Sequence, residues 1–352
     1  MNSSAANGEF GFPKFSEANQ SLLKKYLTPE IYERLRTKTS ENGFDLTRLI
    51  HSGVQNQDSS IGVYAGDMDS YSIFSELLLP VIYEYHGYSE AESHSRDFSP
   101  FAGEMGNSAS DNQYIQSTRI RVGRNLSGFP LGPCISLSQR NEVESLVAGE
   151  LGKLDGELSG TYYSLYGMTD EKRKQLIADH LLFKEGDRFL DAAGLNRDWP
   201  DGRGIFINTG RTFLVWINEE DQLRIISMEA GGDIAGVYNR LSKAVLKLET
   251  ALGFLYDRHL GYISSCPTNL GTAMRASVHI KLPHLAQQMA NFKTKAAGLN
   301  LQIRGVHGEH SKSEGGVFDV SNKRRLGISE KECVQELYTG VCELIRIEKS
   351  LA

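Results

Sequence analysis

The strongest constraint on the fold is the strict alternation of residue character in the segment RASVHIKL, which begins at Arg275. Apolar residues occupy every second position, at Ala276, Val278, Ile280 and Leu282, and polar residues lie between them. Because successive side chains of a β-strand point to opposite faces, this pattern predicts a strand with one apolar and one polar face. We expect the apolar face to lie against a core.

Four more segments are β-prone, and all of them lie in the C-terminal two-thirds of the chain. They read STRIRVGR, RTFLVWIN, QLRIISM and NLQIRGV, with helical sequences between them. Thr169 is a candidate N-cap for one such helix, and Ser329 with Glu332 has the S-x-x-E spacing of a capping box at the start of the last helix. The combination predicts an antiparallel sheet flanked by helices.

The first 89 residues instead have helical patterns. Thr28 and Pro29 suit the start of a helix, and a later apolar stripe contains Pro80, which predicts a bend or restart. Residues 90–112 are polar and are typical of a linker. We therefore predict an α+β protein with a small all-helical domain at 1–89, a linker at 90–112 and a larger domain at 113–352.

Composition excludes several function classes. Thirty-eight Lys and Arg residues against 44 Asp and Glu residues give a net charge of −6, which argues against nucleic-acid binding through bulk positive charge. No run approaches the roughly 18 apolar residues of a membrane span, and the N-terminus does not resemble a secretory signal. The four cysteines form no CxxC pair, which argues against a disulfide framework or a zinc site. These features predict a cytoplasmic protein that binds neither nucleic acid nor membrane.

Arginines recur on the polar faces of four of the predicted strands. They are Arg119, Arg121, Arg224, Arg275 and Arg304. Each one alone is best interpreted as a solvated side chain on the wet face of a sheet. Together they form a permanently cationic surface that an anion such as a triphosphate would stabilise, since guanidinium matches phosphate oxygens in a bidentate way. The chain contains no GxxxxGK[ST] loop, so side chains would have to bind the phosphates.

Two further groups near these strands could carry chemistry. Glu219, Glu220 and Asp221 form either an ordinary charged turn or a site in which Glu220 binds a substrate cation or accepts a proton, with the other two near a hydrated magnesium ion. Cys266 is either a small buried residue or a thiolate whose pKa is lowered by polar neighbours and Arg275. Covalent catalysis by this thiol is the alternative role.

The glycine-rich segment RGVHGEHSKSEGG begins at Arg304. A solvent-exposed loop is the simplest interpretation, and its glycines would also suit a lid that brings Glu309 to a reacting group. A metal site formed by His307, Glu309 and His310 is less favoured, because the helix spacing and cysteine partners of such sites are missing from the sequence.

Several long motifs in order resemble the phosphagen (guanidino) kinases over essentially the whole chain. The motifs are CPTNLGT, STRIRVGR, DHLLFKEGDRFL, WPDGRGIF, NEEDQLRIISM, RASVHIKLP and GGVFDVSNKRRLG. The resemblance implies reversible transfer of the ATP γ-phosphoryl group to a guanidino nitrogen without a phosphoenzyme. It also implies Mg²⁺ that enters as MgATP, held mainly through phosphates and waters and without protein ligands. The domain at 113–352 would be the catalytic, ATP-binding one.

The resemblance also implies roles for individual residues. Those that would bind ATP or ADP are Ser117, Arg119, Arg121, His180, Arg224, Arg275, Ser277, His279 and Arg304. Glu220 and Glu309 would orient the guanidinium group and accept its proton, and Cys266 would contact it as a thiolate. Asp58 and Arg188 match an acid–arginine pair that ties the two domains together.

The segment DSSIGVYAGD resembles the specificity loop of family members that use arginine. Ser59, Ser60, Ile61, Gly62 and Tyr64 would then bind the substrate. Those members usually read SGVGIYAPD, so Ser60 replaces a glycine and Gly66 a proline. The resemblance predicts L-arginine as substrate and a monomer or dimer. Taurocyamine, glycocyamine or another guanidine is the alternative, and an inactive nucleotide-binding homologue is a third hypothesis.

Overall fold

The N-terminal part of the chain is helical, as predicted. The computed structural model describes residues 11–103, 105, 111, 113–305 and 315–352. Its N-terminal helices are α1 (Leu22–Tyr26), α2 (Pro29–Leu35), α3 (Leu46–Gln55), α4 (Ser70–Ile73) and α5 (Ser75–His86). The Thr28 hydroxyl accepts a hydrogen bond from the Ile31 amide at the start of α2, which confirms the predicted cap.

The restart predicted at Pro80 is wrong. Helix α5 continues through Pro80, and the interruption between α4 and α5 lies at Phe74. Leu77 and Leu78 before the proline and Val81 after it are fully buried in the helical core. This packing holds the helix together despite the hydrogen bond that proline cannot donate.

The larger part of the chain is built on an eight-stranded sheet in the order β2-β3-β4-β5-β1-β8-β10-β9, with every neighbouring pair antiparallel. Its strands are β1 (Ile115–Arg124), β2 (Gly160–Ser164), β3 (Gly204–Asn208), β4 (Phe213–Ile217), β5 (Leu223–Ala230), β8 (Met274–Lys281), β9 (Leu301–Arg304) and β10 (Val317–Asn322). A small hairpin contains β6 (Tyr256–Asp257) and β7 (Gly261–Tyr262). The five predicted strands are confirmed, whereas β2, β3 and β10 were not predicted.

Helices flank this sheet and bury its apolar face. They are α6 (Leu137–Leu151), α7 (Asp170–Ala178), α8 (Arg188–Ala192), α9 (Ile234–Leu252), α10 (Pro283–Ala286), α11 (Met289–Gly298) and α12 (Glu330–Ser350). The caps predicted for α7 and α12 are both present. Ala276, Val278 and Ile280 of β8 are almost completely buried in the main core, which confirms the alternation. The opposite face of these strands therefore carries the polar side chains.

Residues 90–103 contain neither helix nor strand, but part of this segment is packed against the larger domain. His94 and Phe98 are buried, and the Phe98 ring stacks on Tyr238 of α9. The Asp97 amide donates to Glu330 at the start of α12. Residues 94–98 are therefore attached to the sheet domain through specific contacts.

Candidate functional site

The register of three adjacent strands brings the predicted arginines together. Arg121 of β1 lies opposite Arg275 of β8, and Gly123 of β1 lies opposite Arg224 of β5. Directly opposed residues of antiparallel strands point to the same face, so these guanidinium groups share the polar face with Arg119. The sheet therefore concentrates four positive charges on neighbouring strands.

A cavity of about 670 Å³ opens on this face. Six of the residues that line it were predicted to bind nucleotide: Ser117, Arg119, His180, Arg275, Ser277 and His279. The register explains the grouping, because Ser277 lies opposite Arg119 and His279 lies opposite Ser117. A cavity of this volume is in the usual range for a small-molecule site.

A second, much smaller cavity of about 20 Å³ has Arg275 in its lining as well. Arg121, Arg224 and Arg325 line it together with Arg275. Arg304 is not among the described residues that line either cavity, and it lies on β9 opposite Asp319. The Asp319 carboxylate accepts a 2.9 Å hydrogen bond from Arg275, so β10 places one acid among the arginines.

The crowding of like charges is visible in the pKa values of these arginines. Burial, followed by the nearby Arg224, lowers the pKa of Arg119 to about 10. The same two causes, in that order, lower the pKa of Arg121. A guanidinium group still keeps its charge near neutral pH, so the cluster favours an anion. A bound polyphosphate would supply the missing negative charge.

Glu220 lies beside this cluster with both carboxylate oxygens held. Arg224 donates to Oε2 over 2.8 Å, and the side-chain amide of Asn269 donates to Oε1 over 3.2 Å. Burial raises the pKa of Glu220 to about 7, although Arg224 acts in the opposite direction. A carboxyl group whose pKa lies near neutrality is suited to exchange a proton with a substrate.

Of the two interpretations of the acidic triplet, the contacts of Asp221 do not favour the one that places it near a hydrated magnesium ion. Asp221 is buried and accepts hydrogen bonds from the Asn125 amide group, the Ser264 hydroxyl and the Ser265 backbone amide. These protein donors satisfy the carboxylate, and its role is to join three segments of the chain. Glu219 pairs with Arg224 over 2.9 Å. The described residues contain no group of three or more acids, histidines or cysteines able to hold a metal ion.

The expectation of a lowered thiol pKa at Cys266 is wrong. Burial, and then the negative charge of Glu220, raise the pKa of Cys266 to about 12. Hydrogen bonds with Thr268 act in the opposite direction but do not offset these two effects. The group is therefore a neutral thiol in the absence of substrate, and Sγ lies 3.1 Å from the Thr268 hydroxyl.

The predicted specificity loop contacts the segment that carries Cys266. The Ala65 amide donates to the Ser265 carbonyl over 2.8 Å, and the Tyr71 hydroxyl donates to the Ser264 carbonyl over 2.7 Å. Tyr64 is buried, and its pKa is raised by burial and by the nearby Cys266 and Glu220. The loop, the thiol and the carboxyl group are thus brought together.

The tip of this loop presents backbone donors. In the described part of the chain, no hydrogen bond uses the amide nitrogens of Ser60, Ile61 or Gly62, whereas the Ser59 amide donates to Asn56. Gly62 has a φ of +81°, and a Cβ atom there would lie 2.8 Å from Leu23 Cβ. Only glycine fits this conformation without strain. Successive free amides of this kind suit an anionic group.

The two departures from the usual loop sequence are accommodated locally. Ser60 does not have the positive φ that would require glycine. At Gly66, a Cβ atom would lie 2.3 Å from a ring carbon of the buried Phe44. The Phe44 ring therefore fills the space that the proline side chain would need.

The pair of Asp58 and Arg188 is confirmed. Both terminal nitrogens of Arg188 donate to the Asp58 carboxylate, one of them over 2.9 Å. Both side chains are more than half exposed, so we expect the pair to contribute little to stability. It joins α8 of the larger domain to the loop after α3.

Four residues of the site were missed by sequence reasoning: Trp216, Asn269, Asp319 and Arg325. Trp216 and Asp319 lie on the polar face but belong to segments whose patterns did not suggest a role. A role for Arg325 was not predicted, because it lies in the basic run NKRR, and such runs are usually interpreted as solvated surface. Glu309, His307 and His310 lie outside the described residues.

Comparison with known proteins gives consistent results. The chain is 49% identical over 345 residues to an arginine kinase of Artemia franciscana and 49% identical over 347 residues to arginine kinase 1 of Drosophila melanogaster, with 97% of each chain covered in both cases.

No described helix has the length and apolar character needed to cross a membrane.

Solved structures with the same fold are named as kinases of lombricine and taurocyamine. A lombricine kinase matches with a TM-score of 0.87 and 38% identity over 95% of this chain and 93% of its own. The duplicated taurocyamine kinase of Schistosoma mansoni with bound transition-state-analogue components matches with a TM-score of 0.87 and 42% identity. It covers 94% of this chain, which spans about half (47%) of that duplicated protein.

Family models match both parts of the chain. The N-terminal domain of the ATP:guanido phosphotransferases matches residues 17–83, and their C-terminal catalytic domain matches residues 142–351. These matches, with the near full-length relatives and the arginine-lined cavity beside Glu220, establish that the chain belongs to the ATP:guanido phosphotransferase family.

Proposed function

We propose that this protein is an arginine kinase, which reversibly transfers the γ-phosphoryl group of ATP to the guanidino group of L-arginine and gives ADP and phosphoarginine. The observation that carries this proposal is the cavity of about 670 Å³, whose arginine-lined wall continues through Arg275 toward Glu220. Such a site can bind a triphosphate at one end and a guanidinium cation at the other. Arginine is favoured because the near full-length relatives are arginine kinases.

In the proposed complex, the arginine side chains bind the phosphates of the nucleotide. His180 and His279, which line the cavity, would lie beside the adenosine. Phosphoryl transfer requires mainly alignment and charge neutralisation, and fixed guanidinium groups supply both. Arg304, which lies on the same polar face of the sheet, would be the fifth arginine that binds the phosphates.

Magnesium would enter with the nucleotide. Because the described residues offer no cage of carboxylates, the ion would be held mainly by phosphate oxygens and water, as is usual for Mg²⁺. When bound, it would neutralise part of the phosphate charge. The protein's own contribution is the arginine cluster.

At the other end, Glu220 would bind the guanidinium group and orient one nitrogen toward the γ-phosphorus. As the N–P bond forms and the bond to the bridging oxygen of ADP breaks, the attacking nitrogen loses a proton, which Glu220 would accept. Glu309 is the second candidate for this role. The guanidinium charge would also stabilise the thiolate of Cys266, because an adjacent cation lowers a thiol pKa.

The specificity loop would hold the other end of arginine. The amides of Ser60, Ile61 and Gly62 would donate to its carboxylate, and the Tyr64 hydroxyl would meet its amino group. Ser59 would support the loop, since its amide is already bonded to Asn56.

A panel of guanidines at a fixed MgATP concentration tests the proposal. We expect arginine to turn over fastest, with a phosphorus–nitrogen product visible by ³¹P NMR. If taurocyamine or glycocyamine turns over faster than arginine, that compound is the preferred substrate, and the proposed reaction type still holds. ATP binding without any phosphorylated guanidine would instead indicate an inactive homologue.

Other features stay predictions. They are the domain limits of 1–89, 90–112 and 113–352, the cytoplasmic location, and the monomeric or dimeric state. Size-exclusion chromatography with light scattering would determine the last of these directly.

A further inference from the structure

Arg325 lies between the arginine cluster and the segment that carries Cys266. It follows β10 in the chain and lines the small cavity with Arg121, Arg224 and Arg275. It has no place among the residues that the family resemblance assigns to nucleotide or substrate. Its contacts, however, connect it to Glu220 through Asn269.

The Arg325 guanidinium is fixed by two acceptors of the turn after Cys266. Its Nη1 atom donates to the Thr268 carbonyl oxygen over 2.8 Å and to the Asn269 side-chain oxygen over 2.6 Å. Charge-assisted hydrogen bonds of this length are strong, and the planar guanidinium group holds both acceptors in one geometry. The side-chain oxygen of Asn269 is thereby turned toward Arg325.

This orientation decides what Asn269 offers to Glu220. With its oxygen directed to Arg325, the amide group presents its nitrogen, which donates to Glu220 Oε1 over 3.2 Å. A reversed amide would place its oxygen against the carboxylate and repel it. Arg325 therefore selects the amide orientation that binds Glu220.

The charge of Arg325 acts in the same direction. Burial lowers the pKa of Arg325, while the negative charge of Glu220 is among the influences that raise it, so the two groups attract each other. Among the residues that the structure describes, the other charged or titratable groups around Glu220 are Glu219, Asp221 and Arg224 from its own hairpin, Arg121 from β1, and Cys266 and Tyr64 from the two loops. Loss of Arg325 would remove one of the nearby positive charges and leave Arg224 and Arg121 to offset the acidic neighbours Glu219 and Asp221.

We propose that Arg325 is a positioning residue of the phosphotransfer site, which acts through Asn269 to orient Glu220 and to keep it ionised for the substrate guanidinium. This inference rests on the proposed function of Glu220 and extends it. The competing explanation is that Arg325 only anchors the turn at Thr268 and has no effect on the reaction beyond folding.

The test measures kcat and KM between pH 5.5 and 9 for the wild type and for Arg325→Gln and Arg325→Lys. Gln keeps hydrogen-bonding groups without the charge, and Lys keeps the charge without the fork. Arg324→Gln is the matched control, because Arg324 is adjacent in sequence but exposed and paired with Glu336. Thermal unfolding verifies that each variant is folded.

We expect Arg325→Gln to lower kcat about 100-fold, because small misplacement of a reacting group costs rate on this scale. We also expect the acid limb of its kcat profile to move up by about one pH unit, since a cation near a carboxyl group lowers its pKa. Arg325→Lys should keep the limb close to that of the wild type, and Arg324→Gln should change neither quantity.

The outcomes separate the explanations. A folded Arg325→Gln variant whose acid limb stays in place, whatever its rate, would overturn the proposal and leave Arg325 as an anchor. The same limb shift in Arg325→Lys would also overturn it, because the charge would not be the cause. If Arg325→Gln does not fold, the result for Arg325→Lys decides. An acid limb at the wild-type pH together with a lowered kcat would support the proposal, whereas an unchanged kcat would contradict it. Wild-type protein without phosphotransfer would refute the proposed function itself.

Discussion

The indole nitrogen of Trp216 donates a 2.7 Å hydrogen bond to the carbonyl oxygen of Leu181. This bond ties β4 to the segment that carries His180, one of the residues lining the large cavity. The same indole ring lies 5.9 Å from the Arg119 guanidinium and 5.6 Å from that of Arg224. Trp216 thus contacts both the arginine cluster and the segment of His180.

Trp216→Phe should therefore weaken nucleotide binding more than it slows the reaction. Phe keeps an aromatic face for the two arginines but cannot donate to Leu181. We expect the KM for MgATP to rise about 3- to 10-fold, which corresponds to the loss of one hydrogen bond. Steady-state kinetics checks this, with Trp199→Phe as control, because the described contacts of the Trp199 ring are with Arg203 and Phe183 and not with Arg119 or Arg224. An unchanged KM would mean that the segment of His180 is held by its apolar packing alone.

Arg275→Ala should impair both nucleotide binding and turnover. Arg275 lines both cavities and lies opposite Arg121, so its removal opens the centre of the cluster. We expect kcat/KM for MgATP to fall about 100-fold or more, the scale seen when one fixed donor to a transition state is removed. Arg275→Lys should recover part of the loss, because it restores the charge without the bidentate geometry. If the alanine variant has wild-type kinetics, Arg275 does not bind the nucleotide.

Glu220 should determine the acid limb of the pH profile. Since burial raises its pKa to about 7, the carboxyl group is protonated at lower pH and cannot accept the guanidinium proton, so kcat falls as the pH drops below about 7. We expect Glu220→Gln to lower kcat about 100-fold or more, the usual contribution of acid–base catalysis, and to abolish this limb.

Glu219→Gln is the matched control for that experiment. It removes a neighbouring negative charge that raises the pKa of Glu220, so the limb should move to lower pH while much of the activity remains. A Glu220→Gln variant that keeps the wild-type profile would show that another group, such as Glu309, accepts the proton.

Gly66 and Phe44 should be energetically coupled. Because a Cβ atom at position 66 would lie 2.3 Å from the buried Phe44 ring, we expect Gly66→Ala to reduce the free energy of unfolding by about 1–3 kcal/mol, as in other overpacked cores. In a Phe44→Ala background the same change should cost much less. Chemical denaturation of the four proteins of this double-mutant cycle measures the coupling. Additive effects would show that the ring does not define the loop.

Much of the sheet could be predicted because its strands carry their own pattern. RASVHIKL alternates so strictly that both faces were assigned correctly, and the cluster of arginines followed from it. Strand β10, by contrast, has the sequence VFDVSN, and it lies between β8 and β9 through long-range pairing that no local pattern indicates. Asp319 was missed for this reason.

The chemistry of single groups was harder to predict than their location. Cys266 lies near Glu220, yet the expected direction of its pKa was wrong, because burial and the nearby carboxyl group raise it, and neither effect can be read from the neighbouring residues in the sequence. For Asp221, a position near a magnesium ion was left open beside an ordinary charged turn for a similar reason. Its three protein donors come from segments more than 40 residues away, which a local charge pattern cannot reveal.

The hydrogen bond between Ala65 and Ser265 fixes the predicted specificity loop to the backbone beside Cys266. Residues of the two segments also share one apolar core, so they cannot separate without loss of that packing. The span from the loop amides to the thiol is consequently fixed, and in the proposed complex it would set the length of the guanidino acid that fits between them. In that complex, a guanidino acid one methylene shorter than the best substrate would lose its contacts at one end.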